Sequence, residues 1–346
     1  MSKLQGICLS LLFLPLAAFA QQPAAPAPAA VANHISLDVL VTDKAGKPVA
    51  GLEPADLSLL DNNQPRKVLS FRRTAQAGSQ IDPPVEAIII FDAVNLPYTA
   101  ITLQRLEMEK FLRRNGGHLA IPTSVFIFSN EGLHVQPEPS TDGNAIAAAL
   151  DKSTGLVSTM GLQRDPFVDI QNFHKSLGVL SGIAENEAQK PGRKLLIWLG
   201  PGWPLLDDNR FHPSNEFRKQ NFDSVVSLTR KLHDARITLY SIYASVGINA
   251  RGLYGAFLKP VTKPHDTEAG HLALQVFVKH TGGQIVDPSS DLASQLDQCI
   301  ADAGPYYTLT FAAPTAAAAN EYHELKVQPA QPGLAARTSA GYYLQP

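Results

Sequence analysis

The spacing of apolar and polar positions changes twice along the chain. Residues 34–73 and 305–346 contain short segments in which the two alternate, such as "HISLDVLVT" and "EYHELKVQP". This alternation is typical of strands with one buried face. From Val85 onwards, continuous apolar runs such as "VEAIIIFD" and "RKLLIWLG" alternate with helical segments. Such runs indicate strands covered on both faces.

The order of these segments predicts the fold class. Residues 85–303 give the order β-α-β-β-α-α-β-α-β-α-β-α, and crossover helices make neighbouring strands parallel. We expect an α/β domain with a doubly wound, mostly parallel sheet and one antiparallel strand at 133–139, at an edge. The strands at either chain end are too few to be stable alone. We therefore predict one small β-sandwich built from both ends, with the α/β domain inserted between them.

The first 33 residues lie outside both predicted units. Lys3, the short apolar segment "ICLSLLFLPL" and the sequence "AFA" ending at Ala20 predict a secretory signal peptide. "QQPAAPAPAAVA" reads as an extended linker. We thus expect an exported, periplasmic or extracellular protein. Its predicted parts are a signal peptide (1–20), a linker (21–33), an N-terminal β segment (34–80), the α/β domain (85–303) and a C-terminal β segment (305–346).

Composition narrows the classes of partner and of chemistry. The 346 residues carry a formal net charge of −2 without acidic or basic blocks, so no nucleic-acid partner is predicted. No transmembrane helix is expected in the mature chain. Cys8 leaves with the signal peptide, and Cys299 lies on the apolar stripe of the last predicted helix. A buried thiol is therefore expected at Cys299 rather than a reactive one.

A candidate site follows from the predicted sheet. Ligands of doubly wound sheets bind outside the carboxyl ends of the strands, and Asp92 ends the first α/β strand in "IIIFDAVNLPY". Two loops of this rim, 201–214 and 245–266, are longer than the usual strand-to-helix connection. Their aromatic residues are the predicted partner contacts: Trp203, Phe211, Tyr254 and Phe257. For Trp203, packing within its own loop is the alternative.

At this point the chain resembles a known family. The strand order and the aspartate that closes the first strand are similar to a von Willebrand factor type A (VWFA) domain. The flanking "VLVTDKAGKPVAGLEPADLSLLDNNQPRKVLSF" and "HELKVQP…ARTSAGYYLQ" resemble the ends of a bacterial, secreted VWFA-related family. The resemblance implies a protein-binding or adhesion module. It also implies a divalent cation held by Asp-x-Ser-x-Ser, a distant Thr and a distant Asp.

This chain matches the Asp-x-Ser-x-Ser segment of that motif only in part. Asp92 takes the first position, but Val94 and Leu96 replace the two serines and cannot coordinate a metal. Asn95 would offer an amide oxygen. Two interpretations stay open: a degenerate site that holds Mg²⁺ weakly or not at all, and an Asx-turn in which Asp92 caps its own loop.

The distant ligands match less well. Thr159 or Thr154 would supply the threonine, whereas Gly200 or Pro201 stands where the family has the second aspartate. Two acids of the neighbouring loop would be the substitutes, and a solvated turn is their simpler interpretation: Asp207 and Asp208.

A second group of candidate ligands lies farther along the chain. Glu268 and His271 have Glu-x-x-His spacing, with His265 nearby. Because such sites need further ligands, an exposed helix start is the better interpretation.

Three functional hypotheses remain. The first is an exported module that binds a protein of unknown identity through the rim. The second is an exported hydrolase that uses Asp92 and a rim histidine such as His212. The third is a structural envelope protein with a vestigial site. The sequence has no Gly-x-Ser-x-Gly, His-Glu-x-x-His or Walker motif, which argues against the hydrolase.

The signal peptide gives the first prediction. Cleavage after Ala20 should leave Gln21 as the first residue of the exported protein. N-terminal sequencing of protein from the periplasm or the medium checks this, and exported protein that retains Met1 would contradict it.

Overall fold

A computed structural model describes residues 33–74, 84–135, 138–152, 166–203, 214–242, 254–286 and 291–345. The predicted signal peptide and nearly all of the predicted linker lie outside the described residues. The strands are β1 His34–Thr42, β2 Leu57–Asp61, β3 Gln64–Arg66, β4 Val68–Arg73, β5 Glu86–Asp92, β6 His118–Ser129, β7 Gly132–Val135, β8 Ser140–Asp142, β9 Lys194–Leu199, β10 Ile237–Ile242, β11 Ile285–Val286, β12 Tyr307–Ala312, β13 Glu321–Pro329, β14 Ala335–Arg337 and β15 Gly341–Leu344. The α-helices are α1 Tyr98–Arg113, α2 Gly143–Lys152, α3 Pro166–Glu187, α4 Asn215–Asp234, α5 Leu274–His280 and α6 Leu292–Ile300.

A seven-stranded sheet forms the centre of the α/β domain. Its order is β11-β10-β9-β5-β6-β7, and β8 also pairs with β6. The five strands from β11 to β6 are parallel, whereas β7 and β8 run antiparallel to β6. The prediction of a mixed α/β fold with a mostly parallel sheet is confirmed. The antiparallel edge strand expected at 133–139 is β7.

Both faces of this sheet are covered by helices. Along β5, Ile89 and Phe91 pack into a cluster that includes residues of α1, α2 and α6. Ile88 and Ile90 point to the opposite face, into a cluster with residues of α3, α4 and α5. Successive strand residues alternate between faces, so a strand covered on both sides has to be apolar at every position. This explains the continuous apolar runs.

The two chain ends form two four-stranded sheets. Their orders are β14-β1-β12-β4 and β15-β13-β2-β3. Each sheet combines strands from both ends: β1 lies between β14 and β12, and β2 pairs with β13. Their buried side chains, such as Val39, Leu59, Leu309 and Val327, belong to one apolar cluster. Neither end could complete these sheets alone.

Two ion pairs tie these terminal sheets to the α/β domain. Arg236, directly before β10, donates two hydrogen bonds to Asp38 of β1, at 3.0 and 2.7 Å. Arg337 of β14 donates to Asp302, just after α6, at 2.7 Å, and the Tyr240 hydroxyl donates to the same carboxylate at 2.6 Å. Removing one partner of such a partly buried pair leaves the other charge without compensation. The pairs therefore fix where the terminal sheets attach.

No helix among the described residues combines the length and apolar character needed to cross a membrane.

Deletion of residues 321–346 tests the dependence of the two chain ends on each other. The deletion removes β13 and β14, which pair with β2 and β1, and also β15, which pairs with β13. We expect the exposed strand edges at 34–73 to become protease-sensitive and the protein to aggregate. Limited proteolysis with mass spectrometry measures this. Resistance at 34–73 equal to that of the full-length mature protein would contradict the pairing.

Because the deletion removes three strands at once, a matched pair of point variants provides a milder test. Leu59 is buried in the shared apolar cluster, and its neighbour Ser58 is exposed on the same strand. Leu59→Ala should lower the free energy of unfolding by about 2–5 kcal/mol. Ser58→Ala should change it by no more than about 0.5 kcal/mol.

Candidate functional site

The candidate site lies where the strand order of the sheet reverses. The chain places β6 on one side of β5 and β9 on the other, so the carboxyl ends of β5 and β9 form the switch point, where ligands of such sheets usually bind. Asp92 is the last residue of β5, and Gly200 directly follows β9. The sequence therefore delivers a carboxylate to the switch point of the sheet.

The Asp92 carboxylate is fully buried, with 0% of the residue exposed. Oδ1 accepts the backbone N–H groups of Val94 and Asn95 at 3.0 and 2.9 Å, and the Asn95 Nδ2 at 3.1 Å. Oδ2 accepts the Asn95 Nδ2 at 2.9 Å and the indole Nε1 of Trp198 at 2.8 Å. A carboxylate offers about four lone-pair sites. Nitrogen donors therefore occupy the whole accepting capacity of Asp92.

Strand geometry brings Trp198 to this carboxylate. Ile90 of β5 is directly opposite Trp198 of β9, and Asp92 lies two residues beyond Ile90 on the same face. Residues two apart on neighbouring strands are within reach of a long aromatic side chain. The indole ring is held by edge-to-face contacts with Phe128 and Trp203, at centroid distances of 6.0 and 5.6 Å.

Asn95 links the loop after β5 to α3. Its Nδ2 contacts both Asp92 oxygens and the hydroxyl of Ser176 in α3, the latter at 3.1 Å. Because the nitrogen faces Asp92, the amide oxygen points elsewhere, and it is buried without a hydrogen-bond partner among the described residues. Asn95 and Asp92 therefore do not present their oxygens to a common point.

A side chain at Gly200, where the family has the second aspartate, would crowd Asp92. The φ of Gly200 is +154°, and a Cβ built there would lie 3.2 Å from the Asp92 Cβ and 3.3 Å from Oδ2. A side chain at this position would press against the carboxylate it was meant to assist. Glycine is therefore the residue that allows the close approach of β9 to Asp92.

The described donors do not fit a divalent cation. Mg²⁺ requires near-octahedral oxygen ligands, but Asp92 is saturated and the side chains of Val94 and Leu96 are apolar and buried. Among the described residues, no group of three or more His, Cys, Asp or Glu side chains is arranged to hold a metal ion. The remaining predicted ligands lie outside the described residues and stay predictions: Thr154, Thr159, Asp207 and Asp208.

Burial has the largest effect on the pKa of the Asp92 carboxyl. Desolvation raises the pKa of the Asp92 carboxyl above its ordinary value of 3.8. The hydrogen bonds from Asn95, Trp198 and Val94 favour the charged form and act against that rise.

The position of Trp203 corrects an expectation. Trp203 is only 4% exposed, and its indole Nε1 donates to the carbonyl of Leu272 at 2.8 Å. It packs edge-to-face on Trp198 instead of presenting its ring to solvent. Trp203 belongs to the apolar core on one face of the sheet, so it is neither a partner contact nor packed only within its own loop.

The other predicted contact residues are also covered or lie elsewhere. Tyr254 is 8% exposed and packs with Ala273 and Val276. Phe257 is partly buried, with its ring edge-to-face with His271 at 5.2 Å. Tyr254 is thus a packing residue and Phe257 a partly covered one. Phe211, and His212 of the hydrolase hypothesis, lie outside the described residues.

The Glu-x-x-His pair has a local structural role. The Glu268 backbone N–H donates to the His271 Nδ1 at 3.1 Å, at the start of a 3-10 turn that precedes α5. His265 lies on the surface, with its Nε2 2.9 Å from Asp266. Cys299 is buried, and burial raises the pKa of its thiol.

Two members of the Asp92 cluster were not among the sequence candidates: Trp198 and Ser176. A buried tryptophan needs an acceptor for its N–H. Trp198 therefore carried a usable signal, because it is the one residue with a polar hydrogen-bonding side chain in the apolar run "LLIWLG". Ser176 carried none, because a serine within a helix is usually exposed.

Comparisons with known proteins give no family assignment. No family model and no curated protein matches the sequence. The crystal structure of the human COPII-coat protein Sec24c aligns with a TM-score of 0.36 and 10% identity, over 77% of this chain and 44% of that one. Manganese-loaded Plasmodium vivax TRAP protein aligns with a TM-score of 0.34 and 10% identity, over 78% of this chain and 96% of that one. The chain thus spans less than half the length of Sec24c.

The raised pKa of Asp92 predicts a pH dependence of stability. A carboxyl whose pKa is raised on folding contributes stability that is fully present below its unfolded value and is lost as the pH rises through the folded value. Asp92→Asn removes this titration but keeps the size of the side chain. From about pH 4 to pH 8, the free energy of unfolding of the wild type should therefore fall relative to that of the variant.

Denaturant unfolding of both proteins across this range checks the expectation. Subtracting the free energy of unfolding of the variant from that of the wild type removes the contributions of other acids. One of these is Glu86, whose pKa is also raised by burial. A difference that stays constant or grows with pH would contradict it.

Proposed function

We propose that this chain is an exported protein that binds a protein partner through the carboxyl rim of its α/β sheet, and that it does so without a divalent cation. The strand order about Asp92 supports a VWFA-like domain, and the resemblance of both chain ends supports the secreted VWFA-related family. The composite β-sandwich of the two ends is part of the same proposal.

The exposure of Phe167 carries the proposal. It is 77% exposed, next to the half-exposed Val168, in the first turn of α3. Ser176 of the same helix contacts Asn95 at the rim. Phe167 precedes Ser176 by nine residues, which places it about 13 Å farther along the helix axis. An aromatic side chain that extends this far beyond the rim is suited to an apolar partner surface.

A second exposed aromatic residue lies on the other side of the rim. Tyr98 is half-exposed at the start of α1, directly after the loop that Asp92 organises. α1 and α3 cover opposite faces of the sheet. Tyr98 and Phe167 thus lie on opposite sides of the loop at 93–97, and a partner that spans this rim would contact both. We therefore assign to these residues the role first predicted for Trp203 and Tyr254.

The hydrolase alternative has less support. A nucleophile or general acid needs a free oxygen within hydrogen-bond reach of a substrate. The Asp92 oxygens accept nitrogen donors on both sides and are shielded from solvent.

The test is partner capture with matched variants. Mature protein is immobilised, the captured protein is identified by mass spectrometry, and its affinity is then measured with the purified partner. Phe167→Ala should weaken binding by about 30-fold, which corresponds to about 2 kcal/mol for a central aromatic contact. Leu69→Ala is the control, because Leu69 is a half-exposed apolar residue of β4, in a terminal sheet.

Chelation separates this proposal from a metal-dependent one. Affinity should be the same in EDTA and in Mg²⁺. Binding that is insensitive to Phe167→Ala and abolished by EDTA would reject both the contact surface and the cation-independent mode.

A further inference from the structure

We infer that the indole N–H of Trp198 and the side-chain amide of Asn95 take the place beside Asp92 that the VWFA resemblance assigns to a divalent cation. Hydrogen bonds, not a metal ion, then hold the switch point together. This inference concerns the site alone and stands whether or not the proposed partner surface is correct.

Distances exclude joint occupancy. A Mg²⁺ ion binds carboxylate oxygen at about 2.0–2.1 Å and needs a lone pair directed at it. The Oδ2 lone pairs are directed at nitrogens 2.8 and 2.9 Å away, and the hydrogens on those nitrogens carry positive partial charge. A cation at Oδ2 would meet those hydrogens. Metal binding would therefore require Trp198 or Asn95 to leave.

Packing prevents Trp198 from leaving. It is fully buried, and Phe128 and Trp203 contact its ring edge-to-face. Trp203 is itself fixed by its hydrogen bond to the Leu272 carbonyl. Rotating the indole away from Asp92 would therefore disrupt its ring contacts with Phe128 of β6 and with Trp203.

The same hydrogen bonds connect the structural elements that a metal ion would otherwise connect. Asp92 belongs to β5 and Trp198 to β9, and Asn95 reaches Ser176 in α3. A bound cation joins loops by coordinating a residue from each. Here, the Trp198 indole and the Asn95 amide connect β5, β9 and α3, and they compensate the buried negative charge of Asp92.

The first test uses paramagnetic Mn²⁺ on the wild type. The chain has two tryptophans, so selectively labelled protein gives two indole N–H signals, which Trp203→Phe assigns. Mn²⁺ at Asp92 would lie within a few ångströms of the Trp198 indole proton and would broaden its signal. We expect both signals to persist at equimolar Mn²⁺. Selective loss of the Trp198 signal, reversed by EDTA, would overturn the inference.

The second test measures coupling between Asp92 and Trp198. Trp198→Phe and Trp203→Phe each remove one buried indole hydrogen bond and the same atoms, but only the first removes a donor to Asp92. The shift in melting temperature caused by Trp198→Phe should be at least halved in an Asp92→Asn background. The shift caused by Trp203→Phe should change less between the two backgrounds, because Trp203 contacts the Trp198 ring but donates its N–H to Leu272.

The two tests fail independently. Equal shifts for Trp198→Phe in both backgrounds would show that the indole does not support Asp92, and would overturn the inference even without metal binding. If Asp92→Asn does not fold, the Mn²⁺ measurement on the wild type decides.

Discussion

The buried negative charge of Asp92 is the constraint on which the rim depends. A carboxylate removed from water must be fully hydrogen-bonded or its burial is very costly. Two backbone N–H groups of the following loop, the Asn95 amide and the Trp198 indole provide that compensation. They thereby fix the loop that leads into α1 and hold the end of β9 against β5. The glycine at position 200 permits this close approach.

Because hydrogen bonds within the protein compensate the charge of Asp92, they determine which groups at the rim can contact other molecules. An open coordination position on a metal would favour a partner with a carboxylate. A carboxylate already saturated by nitrogen donors leaves recognition to the residues around it. In the described rim these include exposed apolar side chains on the first turns of two helices, Tyr98 and Phe167. The cation-independent binding proposed here follows from that chemistry.

The central sheet was predictable because burial on both faces leaves an unmistakable apolar pattern. The strands containing Ile90 and Trp198 were predicted from such runs, and the position of Asp92 followed from the strand order. The helix start expected at Glu268 and His271 is instead a 3-10 turn, because Glu268 and His271 cap each other there. Local pattern alone does not distinguish a continuous helix from a capped turn followed by a shorter one.

The contacts of the site were less predictable than the fold. Asp92 and Trp198 are separated by 106 positions, so their hydrogen bond depends on strand register. The Asx-turn alternative predicted that the backbone of the following loop would donate to Asp92, but it did not predict the indole donor. Trp203 was predicted to contact a partner or to pack within its own loop, because it lies in a rim loop next to prolines. Loop membership does not say where a ring points, and the neighbouring Trp198 provided an apolar surface for it.

Calorimetric titration of the mature protein with Mg²⁺ measures directly whether the Asp92 oxygens accept a cation in place of their nitrogen donors. We expect no binding tighter than about 1 mM, which corresponds to about −4 kcal/mol. Micromolar binding that disappears in Asp92→Asn would contradict this expectation, and would mean that acids such as Asp207 or Asp208 complete a working metal site.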